Sequence, residues 1–372
     1  MFSKAECGSN ANVPHYDLNI DETNLFYNSK LIASWIKTDW NVDDISCQVF
    51  KDGLTNKLVA CINKGSKNCD NGELKLSEEN VILVRIHGSG SDLVIDREDE
   101  LLSMLALHSL ECSRPLYGKF NNGIVYGFAS GVVLNQQHIH DFDVQRLIIK
   151  EMVKLHSLDH RVLRKLSREG SFSTVRPQLF ETIHKWMKNI PCHEHPMPQR
   201  WSKQRLECEV DLLEHHLSSL NSPVVFCHND LLPKNIIYDA DLKKVSFIDF
   251  EYTFFNYQAF DIGNFFCEFA GMTEVDYNLY PSREFQMKWL TIFLETYNNF
   301  HKLNKAITLE DVDVLYKQVS KFSLASHIFW AIWAVIQAEH SNIDFNYIEF
   351  ARKRLDEYEK RKDEFLSLSI IT

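Results

Sequence analysis

Apolar and polar positions along the first third of the chain alternate in short runs. The runs that predict antiparallel strands, rich in Val, Ile and Leu, are residues 45–50, 56–62, 81–86, 115–120 and 124–128. Asn121, Asn122 and Gly123 supply turn residues for a hairpin between the last two strands. Apolar residues at helical spacing predict helices at 23–40 and 96–107. This part of the chain therefore predicts a small sheet accompanied by two helices.

The rest of the chain is dominated by helical spacing. Amphipathic helices are predicted at 144–155, 202–220 and 283–300, and Pro191, Pro196 and Pro198 mark an irregular loop. The texture changes near residues 130–136. We therefore predict an α+β protein with a flexible tail at 1–24, a sheet-containing lobe at 25–131 and a larger helical lobe at 132–372.

Composition and charge narrow the class of protein further. The formal net charge of −11 argues against a nucleic-acid partner, which would require a basic surface. Nine cysteines without a CxxC pair are typical of reduced thiols and not of a disulfide framework or a zinc module. The amino terminus lacks an apolar signal region, and the longest apolar stretch, 322–338, is short and interrupted by polar residues. These features predict a cytoplasmic protein without stable membrane insertion.

The segment from His228 to Asp261 carries the clearest chemical pattern. An apolar strand at 224–226 runs directly into HNDLLPKN, and a following hairpin ends at Asp249 within IDFEY. Phosphoryl transfer needs a carboxylate that receives the acceptor proton and oxygen ligands that hold Mg²⁺ on the nucleotide phosphates. Asp230 suits the first task, and Asn235 and Asp249 suit the second. The same order occurs in protein kinases as HRDxxxxN followed by DFG, and here His228 is expected to anchor the loop.

Longer stretches resemble a known family. VVFCHNDLLPKNIIY, FIDFEYTFFNYQAFDIGNFFCEFAG and FSLASHIFWAIWAVIQA resemble the choline and ethanolamine kinases, in the aminoglycoside-phosphotransferase branch of the protein-kinase-like fold. The resemblance extends from about residue 42 to 358. It implies a two-lobed fold that uses ATP and Mg²⁺, with Asp230 as catalytic base and Asn235 and Asp249 as metal ligands. It also implies that Asp261 braces the catalytic loop.

The resemblance also assigns the nucleotide-binding residues. FKDGLTNKL, residues 50–58, resembles the family's DGxTNxL element, so Thr55 and Asn56 are expected to contact phosphate oxygens. Arg85 stands on a predicted strand where other kinases place lysine, and Glu100 on the next helix is its expected partner. The alternative for Arg85 is an ordinary surface residue of a strand.

The expected acceptor is ethanolamine. By resemblance, Glu268 faces the amine, Trp330 and Trp333 line the pocket and Tyr252 forms a possible wall, although core packing is an alternative for the tryptophans. CEFAG and Phe350 stand where choline enzymes carry more tyrosines, which favours a primary amine. The implied reaction yields phosphoethanolamine, the first step of the CDP-ethanolamine route to phosphatidylethanolamine. Two alternative functions remain open, a choline or dual-specificity kinase and a catalytically silent kinase-like scaffold. A homodimer also remains open.

Overall fold

The computed structural model describes most of the chain. The described residues are 13–50, 56–65, 69–70, 73–74, 76–88, 91–166, 172, 174–190, 197–198, 200–272, 274–341 and 343–370. Thr55, residues 1–12 of the predicted tail, Pro191 and Pro196 of the predicted irregular loop, and part of the polar segment 63–80 between two predicted strands lie outside this set. Predictions for those residues stay predictions.

The first part of the chain, here called the N-lobe, folds around an antiparallel sheet at the positions that the sequence predicts. Six strands lie in the order β1-β7-β8-β6-β3-β2, and β1 runs parallel to β7. The elements are β1 (His15–Tyr16), α1 (Leu25–Ile36), β2 (Ile45–Phe50), β3 (Asn56–Asn63), β4 (Cys69–Asp70), β5 (Glu73–Leu74), β6 (Val81–His87), α2 (Arg97–His108), β7 (Leu116–Phe120) and β8 (Gly123–Gly127).

The centre of this sheet is buried on both faces. Val59 of β3 lies opposite Val84 of β6, and neither side chain is exposed to solvent. On one face they pack with Ile32 and Ala33 of α1. Strands covered on both faces are apolar at successive positions, which is the pattern of β6. Arg85 interrupts that pattern and therefore needs charged partners inside the protein.

Residues 13–24 differ from the prediction of a flexible tail. β1 pairs His15 with Lys119 of β7, and Ile20 is 1% exposed. The side chain of Asn122 donates to the carbonyl of Ile20 over 2.8 Å and accepts from its N–H over 3.1 Å. The physical reason is an alternation of Tyr16, Leu18 and Ile20 with polar residues, which is too short to stand out as a strand.

The remaining elements form the C-lobe, which is mainly helical. Its strands make two small sheets, β10 with β13 and β12-β11-β9. The elements are β9 (Val132–Val133), α3 (Gln136–His140), α4 (Phe142–His156), α5 (His160–Leu166), α6 (Leu179–Met187), α7 (Lys203–Leu217), β10 (Val224–Cys227), β11 (Ile236–Asp239), β12 (Lys244–Phe247), β13 (Phe254–Tyr257), α8 (Gln258–Cys267), α9 (Arg283–Phe300), α10 (Leu309–His340) and α11 (Tyr347–Ser367). The predicted α+β class, with a small sheet lobe and a larger helical lobe, is confirmed.

Helix α10 forms the centre of the C-lobe. Thr308 caps its first turn by accepting from the N–H of Asp311, and the Asp311 carboxylate accepts from the N–H of Thr308 in return. The helix packs mainly against α8 and α11. By length and composition α10 is apolar enough to cross a membrane, and its most apolar 18-residue window is wholly buried inside the protein. Among the described residues, this is the one helix with that property.

Candidate active site

Two strand pairs of the C-lobe bring the predicted catalytic segments together. β10 leads into residues 228–235, and β12 ends just before 248–253. The N–H of Ile248 donates to the carbonyl of Asn235 over 3.0 Å. Asn229 and Asp249 both adopt left-handed backbone conformations, with φ of 63° and 65°. Because such conformations cost energy in non-glycine residues, they persist where surrounding contacts fix them.

A buried carboxylate, Asp261 of α8, fixes the start of the 228–235 loop. Its Oδ2 accepts from the N–H of His228 over 3.0 Å, and its Oδ1 accepts from the N–H of Asn229 over 2.7 Å. The Nε2 atom of His156 in α4 lies 2.8 Å from Oδ2. Burial alone would raise the pKa of Asp261, but the hydrogen bonds from His156 and Asn229 lower it below its usual value. The ionised carboxylate therefore holds the first two amides of the loop.

His228 connects the two turns of the site. Its Nε2 atom lies 3.0 Å from the carbonyl of Ile248, and its ring packs against Phe250 with centroids 5.2 Å apart. Burial lowers the pKa of His228, so the neutral ring donates this hydrogen bond at neutral pH.

Asp230 and Asn235 contact each other directly. The amide nitrogen of Asn235 donates to the carbonyl of Asp230 over 2.9 Å and to its Oδ2 over 3.1 Å. Burial, followed by the negative charges of Asp249, Glu268 and Glu251, raises the pKa of Asp230 well above its usual value. A cation bound nearby would lower that pKa again, so this carboxylate responds to the charge of its ligands.

Asp249 lies at the border between the lobes. Its Oδ1 accepts from Nη1 of Arg85 in the N-lobe over 3.3 Å, and its side chain is 33% exposed. Burial and the charge of Glu251 raise the pKa of Asp249 to about 7, against the opposing charges of Arg85 and Arg97. The carboxylate is therefore accessible and surrounded by charged groups of both signs.

The structure joins the predicted pair Arg85 and Glu100. Nη2 of Arg85 on β6 forms an ion pair with Oε1 of Glu100 on α2, and both side chains are buried. A buried ion pair persists when its geometry satisfies both partners. Arg85 therefore links Glu100 of the N-lobe to Asp249 of the C-lobe.

Arg97 and Glu251 complete the site and were missed by sequence reasoning. Nη1 of Arg97 lies 3.0 Å from Oε2 of Glu100 and 3.2 Å from Oε2 of Glu251. Asn56 lies between them, because its amide nitrogen donates to Glu251 over 2.8 Å and its oxygen accepts from Nη2 of Arg97 over 3.2 Å. The sequence signals that could have indicated them are the position of Arg97 in the first turn of α2 and the position of Glu251 as the second acid of IDFEY.

The predicted aromatic residues form one cluster. Nε1 of Trp333 donates to the hydroxyl of Tyr252 over 2.7 Å, and the rings of Trp330 and Tyr252 meet edge to face at 5.2 Å. Nε1 of Trp330 donates to Oδ1 of Asn264 over 2.7 Å. Hydrogen bonds thus fix both indole rings, and the rings stand beside Tyr252, which follows Glu251 in the chain.

Glu268 has a partner that the sequence does not indicate. Its Oε1 forms an ion pair with Nη2 of Arg354 in α11, and both residues are buried. The Nε and Nη1 atoms of Arg354 have no hydrogen-bond partner in the described part of the chain. Glu268 contributes to the raised pKa of Asp230, so it lies close enough to the loop for its charge to act there. The sequence predicted that the Glu268 carboxylate faces an amine. In the structure this carboxylate also forms an ion pair with Arg354.

Fold and site together define a class of protein. A sheet lobe with a buried Arg–Glu pair lies against a helical lobe that carries an Asp–Asn loop and a second aspartate. This is the arrangement of phosphotransferases with a protein-kinase-like fold.

Comparison with known proteins specifies the family. The sequence model of the choline/ethanolamine kinase family matches residues 47–359, and the chain belongs to that family. It is 38% identical over 366 residues to ethanolamine kinase 2 of Rattus norvegicus, covering 97% of this chain and 87% of that protein. It is 39% identical over 343 residues to ethanolamine kinase 1 of Mus musculus, covering 90% and 89%.

Solved structures agree with the fold. An ethanolamine kinase of Plasmodium vivax superimposes with a TM-score of 0.73 at 26% identity, covering 91% of this chain and 89% of that one. A choline kinase of Cryptosporidium parvum gives a TM-score of 0.71 at 22% identity, covering 92% and 98%. At this lower identity the second likeness concerns the fold alone.

Proposed function

We propose that the protein transfers the γ-phosphoryl group of ATP to the hydroxyl of ethanolamine and so produces phosphoethanolamine. The observation that carries this proposal is the direct contact of Asp230 with Asn235, on a loop that adjoins Asp249. The similarity to proteins named ethanolamine kinases supports the choice of acceptor.

Asp230 is the group that we assign to the acceptor hydroxyl. The hydroxyl oxygen forms a bond to the γ-phosphorus, the bond from that phosphorus to the β–γ bridging oxygen breaks, and the hydroxyl proton passes to Asp230. Its raised pKa makes Asp230 a stronger proton acceptor than an ordinary aspartate. The ammonium of the bound substrate favours the ionised form that accepts the proton. Attack is direct and in line, without a covalent enzyme intermediate.

Asn235 and Asp249 have the donor atoms that suit Mg²⁺, which prefers carboxylate and amide oxygens. The hydrogen bonds from Asn235 to Asp230 use its amide nitrogen and leave its oxygen for a cation. The Asp249 carboxylate is partly exposed and engages Arg85 through one oxygen. Bound Mg²⁺ supplies positive charge against the nucleotide phosphates.

The nucleotide phosphates are assigned to N-lobe residues that lie beside Asp249 and Glu251. Arg85 has the forked donors that bind phosphate oxygens, and Glu100 holds its guanidinium in place. Asn56 begins β3 directly after the 51–55 connection, beside Glu251. Thr55 belongs to that connection and is assigned to phosphate by family resemblance.

We assign the ammonium of ethanolamine to the acidic and aromatic residues around Asp230. Glu268 and Asp230 supply negative charge, while Trp330, Trp333 and Tyr252 supply ring surfaces. A primary ammonium carries three N–H donors and gains strong charge-assisted hydrogen bonds from carboxylates. A quaternary ammonium carries none, which favours ethanolamine over choline at this site.

We place this reaction in the cytoplasm, as the first step of the CDP-ethanolamine route to phosphatidylethanolamine. The net charge of −11 argues against a basic surface for nucleic acid. The burial of α10 supports a place for this helix in the protein core.

The proposal is tested by measuring ATP consumption with ethanolamine, its methylated derivatives and choline side by side. We expect kcat/KM to be highest for ethanolamine and to fall with each added methyl group. A tenfold higher kcat/KM for choline would contradict the assignment of the acceptor.

The matched control is Asp230→Asn, which keeps an oxygen for the contact with Asn235 but cannot accept the proton. Loss of the general base should lower kcat by ~10²–10⁴-fold. Undiminished turnover in this variant would remove Asp230 from the mechanism.

A further inference from the structure

Arg97 lies where three separate segments of the chain meet. It occupies the first turn of α2, and its guanidinium contacts Glu100 one turn later in the same helix. It also contacts Asn56, the first residue of β3, and Glu251 of the C-lobe. Asn56 and Glu251 are themselves hydrogen-bonded, so the three residues form a closed triangle across the two lobes.

The contacts of Arg97 with Asn56 and Glu251 reach segments with an assigned task. Its Nη2 atom also donates to the hydroxyl of Ser91, just before α2, over 2.6 Å. Asn56 directly follows the connection between β2 and β3, which we assign to the phosphates. Glu251 stands two residues after Asp249, which we assign to the metal. Arg97 is assigned neither to the phosphates nor to the metal, yet it holds the two segments against each other.

Charge along this junction alternates in sign. Asp249 pairs with Arg85, Arg85 pairs with Glu100, Glu100 pairs with Arg97, and Arg97 pairs with Glu251. The two ends of this series, Asp249 and Glu251, lie in the C-lobe two residues apart. The residues between them in the series belong to the N-lobe. The side chains of Glu100 and Glu251 are each 1% exposed, so both carboxylates require cationic partners.

We propose that Arg97 is a positioning residue that fixes the phosphate-binding segment at Asn56 relative to the metal-binding segment at Asp249, and thereby sets the affinity for the magnesium nucleotide. This inference rests on the proposed function and extends it to a residue that touches no reactant. Arginine suits the position because its forked donors reach Glu100, Glu251 and Asn56 together. A lysine at this position offers one compact charge and is expected to serve these acceptors incompletely.

Binding of Mg·ADP, measured by titration calorimetry, tests the inference without any acceptor alcohol. Arg97→Gln should weaken Mg·ADP by at least about tenfold, because a buried charged network loses its shared donor. Arg97→Lys retains the charge and should weaken it by a smaller factor. In turnover assays the KM for ATP should rise, while the KM for ethanolamine should change less than about twofold.

Arg114 provides the matched control. It also joins the lobes, donating from Nη2 to the hydroxyl of Ser246 in β12 over 2.8 Å and pairing with the exposed Glu78. Arg114→Gln should leave the affinity for Mg·ADP unchanged. Thermal melting of the ligand-free variants separates a loss of stability from a loss of binding.

An Arg97→Gln protein that melts earlier yet binds Mg·ADP like the original chain would overturn the proposal, because the role would then be purely structural. Equal weakening by Arg114→Gln would also overturn it. If Arg97→Gln does not fold, Arg97→Lys replaces it in the test, and unchanged Mg·ADP affinity in Arg97→Lys would overturn the proposal. Failure of the ethanolamine assignment would instead appear as absent turnover with Mg·ADP binding intact.

Discussion

At the scale of single residues, surroundings decide what each aspartate of the site can do. Asp261 receives hydrogen bonds from His156 and from two backbone amides, and its pKa is lowered. Burial and then the charge of Glu251 raise the pKa of Asp249 to about 7, and part of its side chain remains exposed. The first is therefore a fixed anion, whereas the second changes its charge near neutral pH and is available to a cation.

The raised pKa of Asp249 predicts how stability depends on pH without metal or nucleotide. Because the folded pKa lies above the unfolded one, the unfolded chain releases this proton at lower pH than the folded chain. The stabilisation of the fold by this bound proton is therefore fully present below about pH 4 and is lost as the pH rises through about 7. Melting temperatures from pH 5 to 8 should therefore fall less in Asp249→Asn than in the original chain. Identical slopes in the two proteins would contradict the prediction.

Residue spacing predicted the site only where its parts lie close in sequence. Asp230 and Asn235 are five positions apart and belong to one loop, so a short pattern indicates both. The contact of Arg97 with Glu251 spans 154 positions, and that of Arg354 with Glu268 spans 86. Such pairs depend on how the lobes and helices pack, and a short sequence pattern carries no signal for them.

At the scale of elements, helices α4 and α8 hold the 228–235 loop from the interior of the C-lobe. His156 ends α4 and Asp261 lies in α8, and their contact joins the two helices. The same carboxylate holds the amides of His228 and Asn229. The position of the loop is therefore a property of the helix packing beneath it.

This arrangement predicts that Asp261→Asn is destabilising. An amide has one acceptor oxygen and cannot hold both backbone amides and His156, so the free energy of unfolding should fall by about 2–4 kcal/mol. Urea unfolding followed by tryptophan fluorescence measures the change. Asp159→Asn, at an exposed pair with Arg161, is the control and should leave the midpoint unchanged. Equal midpoints for both variants would refute the bracing role.

The sequence predicted amphipathic helices such as α9 better than two-residue strands, and it gave no bounds for the long helices α10 and α11. Apolar spacing located α9 at its exact bounds, Arg283–Phe300, because five turns of helix give a periodic signal. β9 and β1 have two residues each and no period to detect. Both exist because a distant strand, β11 or β7, offers backbone partners.

At the scale of the whole molecule, the hydrophobic cores of the two lobes are only partly separate, because Ala106 and Leu107 of α2 belong to the C-lobe cluster. The largest cluster of buried apolar residues is mainly in the C-lobe, around α10, and two smaller ones lie on the faces of the N-lobe sheet. Ion pairs such as Arg85 with Asp249 and Arg97 with Glu251 cross between the lobes at the site. Changes in composition along the sequence predicted two lobes, but the polar contacts between them follow from the fold.

The pairing of β1 with β7 has a practical consequence for shortened versions of this chain. Residues 13–20 cover the outer edge of the sheet, and the ring of Tyr16 packs where Gly118 has no side chain. Removing residues 1–20 should leave β7 as an unpaired edge that recruits the same edge of another molecule. Light scattering should then detect more concentration-dependent self-association than in the full chain, and a truncated protein that associates no more than the full chain would refute this expectation. Expression designs that preserve solubility should therefore retain the chain from residue 13 onward.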